Sequence, residues 1–104
     1  MQQMKAAIYC RIDGGRSSEY IKEAMDSQQN RLNGYAEKNG FQIVGTYSDL
    51  GKNGISDDRL GLNQLFADAN AGLFQTVLVL ERNRLFRNSL QHPAPPFRLV
   101  SVLD

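Results

Sequence analysis

Lys5-Ala6-Ala7-Ile8-Tyr9-Cys10-Arg11-Ile12-Asp13-Gly14-Gly15 decides how the rest of the chain is read. Residues 5–10 run without apolar–polar alternation, the pattern of a central parallel strand covered on both faces. The run then ends abruptly in an arginine, an aspartate and two glycines. It reads as a buried strand that delivers charge to its carboxyl end. In open α/β sheets ligands settle at that end, because the loops leaving parallel strands form a crevice there. Arg11 and Asp13 are therefore the first candidates for chemistry.

Working outward, a glycine and serine loop over residues 14–18 leads into a helical pattern. From residue 19 to residue 39, Ile21, Met25, Leu32, Tyr35 and Ala36 recur at helical spacing, and Asn39-Gly40 supplies the stop. Gly34 weakens that helix by roughly 1 kcal/mol relative to alanine. Gln28 falls on the buried stripe between Ile21 and Leu32, and taken alone it reads as an ordinary glutamine at the stripe's margin. Residues 41–47 alternate Phe41, Ile43, Gly45 and Tyr47 against Gln42, Val44 and Thr46, which predicts a second strand. The polar connection over residues 48–59 is long for such a unit, and long ordered loops in compact domains are often functional.

Leu62, Leu65, Phe66 and Ala69 then predict a short helix closed by Gly72. Residues 75–80 make a third strand, which discharges into Glu81-Arg82-Asn83-Arg84-Leu85-Phe86-Arg87, a second charged strand end. The prolines of Gln91-His92-Pro93-Ala94-Pro95-Pro96 stop any helix. Residues 97–103 resume as a fourth strand. These elements predict one α/β domain over residues 1–104, in three layers: a mainly parallel four-stranded sheet with flanking helices, built on a βαβαβ core.

At 104 residues the chain has room for one small domain with a core. A net charge of +1 with 22% charged residues excludes a strongly basic, self-sufficient binder of duplex DNA, so any phosphate site must be local. The single cysteine, Cys10, excludes an internal disulfide and suits a reducing compartment. No apolar run approaches the about 18 residues of a spanning helix, and no signal-peptide layout is present. The reading is a soluble cytoplasmic protein with no membrane partner.

Three separated segments bring arginine near strand ends: Arg11, Arg59, and Arg84 with Arg87. Guanidinium forks match phosphate oxygens bidentately, and a phosphodiester in transit needs fixed donors where its charge develops. Each arginine alone reads as a solvated surface charge. Together they suit phosphoryl transfer with no metal and no cofactor. Asp13, ahead of Gly14-Gly15, reads equally well as a turn or helix-capping residue.

The same residues carry a family resemblance. Tyr9-Cys10-Arg11-Ile12 resembles the opening of the resolvase/invertase catalytic domain of serine site-specific recombinases, whose pattern there is Tyr-x-Arg-x-Ser. Gln28 matches the family's glutamine on the first helix. Asp49-Leu50-Gly51-Lys52-Asn53-Gly54 resembles its Asp-x-Gly-x-Ser-Gly loop, and Asp58-Arg59-Leu60-Gly61 its Arg-Pro-Gly step. Val77-Leu78-Val79-Leu80 followed by Asn83-Arg84-Leu85-Phe86-Arg87 resembles the strand leading into Asp-Arg-Leu-x-Arg. The motifs lie within residues 5–88, ahead of an irregular tail over residues 89–104.

The resemblance implies a catalytic domain for DNA recombination or integration by strand exchange, in which a serine attacks the DNA phosphate and becomes covalently linked to it. It implies that Arg11, Arg59, Arg84 and Arg87 hold the phosphate and that Gln28 and Asp49 support the site. Two positions depart: Asp13 stands where the serine belongs, and Asn83 where an aspartate belongs. The proline cluster replaces most of a family helix, and the long dimerisation helix and DNA-binding region of complete family members do not follow. A carboxylate is a poor replacement nucleophile, because a DNA phosphodiester repels it and aspartyl-phosphate chemistry uses an activated phosphoryl group.

The expectation is a degenerate, inactive, C-terminally truncated domain that contacts DNA weakly through backbone phosphates. Its implied protein partner is a second copy or an intact recombinase. Whether it is an enzyme stays open, because two other readings compete: an active fragment using Ser17 or Ser18, and a regulatory or dimerisation module that pairs with an intact recombinase. A nucleotide-binding or phosphatase-like site on Asp13-Gly14-Gly15 lacks a second carboxylate and a full phosphate-loop pattern.

Overall fold

A computed structural model of the chain describes residues 4–15, 17–51, 60–81 and 96–103, with Asp13 described by its backbone alone. Strands and helices follow in the order β1 (Met4–Asp13), α1 (Ser18–Lys38), β2 (Phe41–Gly51), α2 (Leu60–Asn70), β3 (Thr76–Val79) and β4 (Arg98–Ser101). The four strands form one sheet in the order β2-β1-β3-β4, and every pairing is parallel. The apolar run thus occupies a central strand, paired on both sides.

Side chains alternate across a strand, so the two faces of β1 bury different partners. Ala6, Ile8 and Cys10 pack with Leu32 and Ala36 of α1. Ala7 and Tyr9 pack with Leu62, Leu65 and Ala69 of α2, together with Phe74, Val77 and Val79. Two helices on opposite faces of a parallel sheet give the expected three layers. Ile8, Leu32 and Leu65 are completely buried, a gain of about 1.5–3 kcal/mol for each such side chain. On the α2 face Phe97 closes the core against Phe66, their ring centroids 5.4 Å apart. That contact ties β4 to the α2 layer.

The caps of α1 follow from its sequence, with one difference. Ser17, not Asp13, is the N-cap: its hydroxyl oxygen accepts the Tyr20 N–H at 3.2 Å. Asp13 instead ends β1, paired with Gly51 ahead of the Gly14-Gly15 turn. At the other end the Asn39 N–H reaches the Tyr35 and Ala36 carbonyls, and Gly40 follows at φ 75°. That left-handed conformation favours glycine.

The second strand departs from its expected pattern in two ways. It continues through Gly51, so Ser48 to Gly51 belong to the sheet and not to the connection. These residues look loop-like because β2 is an edge strand, where Ser48 and Leu50 face solvent. The alternation also breaks: Ala6 pairs with Ile43 but Ala7 pairs with Gly45, which leaves Val44 as an extra residue. Such a bulge moves every later side chain to the other face. Phe41 and Ile43 accordingly pack on the α1 side, whereas Tyr47 packs on the α2 side.

On that side the Tyr47 hydroxyl donates to Asp68 Oδ2 at 2.6 Å, and Gln64 Nε2 donates to Asp68 Oδ1 at 2.9 Å. Gly45 leaves space for the ring, because a Cβ there would stand 2.8 Å from the Tyr47 hydroxyl. Partial burial, reinforced by the hydrogen bond to Asp68 and its charge, pushes the Tyr47 phenol up to about 12.

Two predictions follow from these elements. Gly34 lies inside α1, and a Cβ added there meets nothing within 4 Å. Gly34→Ala should therefore stabilise the chain by about 0.5–1 kcal/mol, read as a rise of several degrees in melting temperature. Because the Tyr47 phenol is raised above its ordinary value of 10.0, the unfolded chain deprotonates first. Stability from this group is complete below pH 10 and falls as pH climbs towards 12. Tyrosinate absorbance in an alkaline titration should include a phenol that titrates late, and Tyr47→Phe should remove that step.

Candidate functional site at the carboxyl end of the sheet

Arg11 sits near the carboxyl end of β1 and is 8% exposed. Strand alternation places it on the α2 face with Ala7 and Tyr9. A guanidinium so deeply seated acts in surroundings of low dielectric, where its field is screened far less than at the surface. Gln28, also buried, approaches from the other layer, and its Nε2 donates a long 3.5 Å bond to the Arg11 carbonyl oxygen. The glutamine on the helix stripe therefore reaches the main chain of β1 at the arginine itself.

Asp49 is the register partner of Arg11 in the neighbouring strand. The bulge at Val44 is what brings it to the α2 face. Its carboxylate is 9% exposed and surrounded by donors. Oδ2 accepts from the Tyr9 hydroxyl at 2.8 Å and from the Leu62 N–H at 2.9 Å, while Oδ1 accepts from the Gly61 N–H at 2.8 Å. Those two amides belong to the first turn of α2, among the donors that a helix leaves without internal partners. The first turn of α2 contains no acidic residue of its own. Its cap comes instead from β2, twelve and thirteen residues upstream.

Gly61 makes this approach sterically feasible. A Cβ there would collide with the Ser48 carbonyl oxygen and come within 3.1 Å of Asp49 Oδ1. Because the first of these neighbours is backbone, it cannot swing aside. Tyr9 and Gly61 thus hold structural parts at the site that sequence reading did not assign. The available signal was a glycine at the start of a helix, with no turn to make.

Of the other residues singled out by sequence, Arg59, Asn83, Arg84 and Arg87 lie outside the described residues, as does the side chain of Asp13. So do Lys52, Asn53, Gly54, Asp58 and the tail as far as Pro95. The site that can be built thus consists of Arg11, Gln28, Asp49, Tyr9 and the start of α2. Among the described residues no three His, Cys, Asp or Glu side chains are grouped as metal ligands, and no helix is long and apolar enough to cross a membrane. Cys10 is fully buried on the α1 face, and the Ser17 hydroxyl oxygen is engaged in capping α1.

Known proteins supply the context for this geometry. The family model for the resolvase N-terminal domain matches residues 6–94. Comparison with the curated proteins gives no match. The C-terminal catalytic domain of ISC1926 TnpA, an IS607-like serine recombinase, superposes with a TM-score of 0.78 at 28% identity, covering 97% of this chain and 71% of that one. The N-terminal catalytic domain of TP901-1 integrase gives 0.62 at 38% identity, covering 81% of this chain and 59% of that one. A resolvase family site-specific recombinase from Streptococcus pneumoniae gives 0.68 at 30% identity, covering 85% and 60%. The chain therefore spans less than two thirds of the latter two structures. With the family model matched over most of its length and catalytic domains of serine recombinases sharing its fold, the chain belongs to the resolvase N-terminal domain family.

Proposed function

We propose that this domain grips the DNA backbone as a serine recombinase catalytic domain does, but does not cut it. The observation that carries the reading is the burial of Arg11 at the carboxyl end of a central parallel strand, where α/β sheets receive ligands. Arg59, Arg84 and Arg87 complete the phosphate-binding set by their positions in the family motifs. Gln28 supports it from α1 and Asp49 from β2, on the face towards α2. No metal or cofactor enters this reading.

Cleavage in this family needs a hydroxyl oxygen that attacks phosphorus, forms a phosphoserine bond and releases a 3′ hydroxyl. Asp13 occupies the nucleophile position and Asn83 the place of an aspartate, so the site keeps donors for the phosphate and loses the attacking group. The Asp13 carboxylate instead repels a phosphodiester. By its place in the motif, a carboxylate there would compete with a phosphate for the arginine donors. Ser17 is a weak replacement, since its hydroxyl oxygen caps α1. The domain works in the cytoplasm, paired with a second copy or an intact recombinase, because strand exchange in the family is carried out by dimers and tetramers.

Two experiments test this. On a denaturing gel with a nicked DNA substrate, the 104-residue chain should give no covalent protein–DNA adduct, and an adduct mapping to Ser17 or Ser18 would establish the active-fragment reading. Asp13→Ser with Asn83→Asp is the minimum change expected to restore adduct formation. Asp13→Ala, in turn, should strengthen binding of phosphate or sulfate by freeing arginine donors. Equal or weaker anion binding in calorimetry would show that the carboxylate pairs elsewhere.

A further inference from the structure

We propose that Asn39 is a site of spontaneous chemical modification, where deamidation through the neighbouring glycine unfastens the carboxyl-terminal cap of α1. Among the described residues the same dipeptide occurs at Asn33-Gly34 and at Asn39-Gly40. Glycine matters because the reaction runs through the following backbone nitrogen, which no side chain shields there. That nitrogen, having lost its proton, attacks Asn39 Cγ. The new C–N bond forms as the Cγ–Nδ2 bond breaks, and ammonia leaves with a proton. Water then opens the resulting succinimide at one of its carbonyls, which yields aspartate or isoaspartate.

The fold separates these chemically equivalent sites. Both asparagines are exposed, but Asn33 lies inside α1. There the Gly34 N–H is committed to a carbonyl one turn earlier, so attack requires the helix to open. Asn39 is the C-cap itself, at φ −110° and ψ 12°, and the exposed Gly40 follows in a left-handed conformation at φ 75°. Rotation about ψ of Asn39 disturbs only the last turn, and helix ends fray at almost no cost.

Deamidation removes what fastens this end. Asn39 Nδ2 donates to the Tyr35 carbonyl oxygen at 2.9 Å, which also receives the Asn39 backbone N–H at 3.0 Å. Loss of Nδ2 as ammonia deletes the first bond, and the carboxylate left behind is repelled by the negative end of the helix dipole. Isoaspartate also routes the main chain through Cβ, which adds a backbone atom between Tyr35 and Phe41, whose rings stack at 6.4 Å across this turn. The Gly40 carbonyl, which accepts the Met4 N–H, shifts with it. One modification thus loosens the junction of α1, β2 and β1. It also removes one unit from a net charge of +1, and a chain near zero charge associates more readily.

The test incubates the whole 104-residue chain at mildly alkaline pH and follows acidic products by ion exchange, with peptide mapping to place aspartate and isoaspartate. Asn39 should convert at least about tenfold faster than Asn33 in the folded chain, and the rates should converge in urea. Asn39→Gln, whose longer side chain closes a ring slowly, should abolish the product at this position. Asn39→Asp, standing for the aspartate product, should melt several degrees below the wild type. Equal rates at Asn33 and Asn39 in the folded chain overturn the site, as do acidic products that map only to Asn53-Gly54, a copy of the dipeptide outside the described residues. Melting of Asn39→Asp at the wild-type temperature overturns the unfastening.

Discussion

An ionised carboxylate gives up several kcal/mol of hydration when it is buried, and Asp49 is tolerated inside this small domain because three donors converge on it. The contact works in both directions. Without it the Tyr9 hydroxyl and two amides at the start of α2 would lose their acceptor, each in a region where leaving a donor unmade costs about 1–3 kcal/mol. One side chain thus fixes the start of α2 on β1 and β2, beside the apolar packing of Leu62, Leu65 and Ala69. That side chain depends in turn on the extra residue at Val44, since without the bulge Asp49 would face α1.

The same constraint explains which parts of the fold were legible in the sequence. The apolar run of β1, the spacing of Ile21, Met25 and Leu32, and the stops at Gly40 and Gly72 are local signals, and local signals suffice for the element order. Gln28 on the apolar stripe was visible, but its partner is a main-chain carbonyl on another element, which no spacing rule reports. The bulge was hidden because alternation of Phe41, Ile43, Gly45 and Tyr47 satisfies the strand rule. Only pairing with β1 reveals that the strand changes face. Asp49 looked like the start of a polar loop because an edge strand tolerates Ser48 and Leu50 in solvent.

Under the proposed function the site is a compromise between what holds the fold and what meets a phosphate. Parallel strands gather their carboxyl ends into one crevice, and Arg11 stands there nearly buried, positioned by packing on one side and Gln28 on the other. Asp49 is spent on the fold. In the proposed reading Asp13 is the residue that matters most for chemistry, because a carboxylate at the nucleophile position adds negative charge where negative charge must arrive. In that reading the domain keeps recognition and shape while giving up reaction.

The claim that strand-end arginines meet DNA phosphate is tested most directly by measuring duplex affinity of the chain as a function of salt. A local cluster neutralises few phosphates, so log affinity should fall against log salt with a shallow slope of roughly −2 to −4, from a weak starting value. Tight, sequence-specific binding that resists salt would contradict the account.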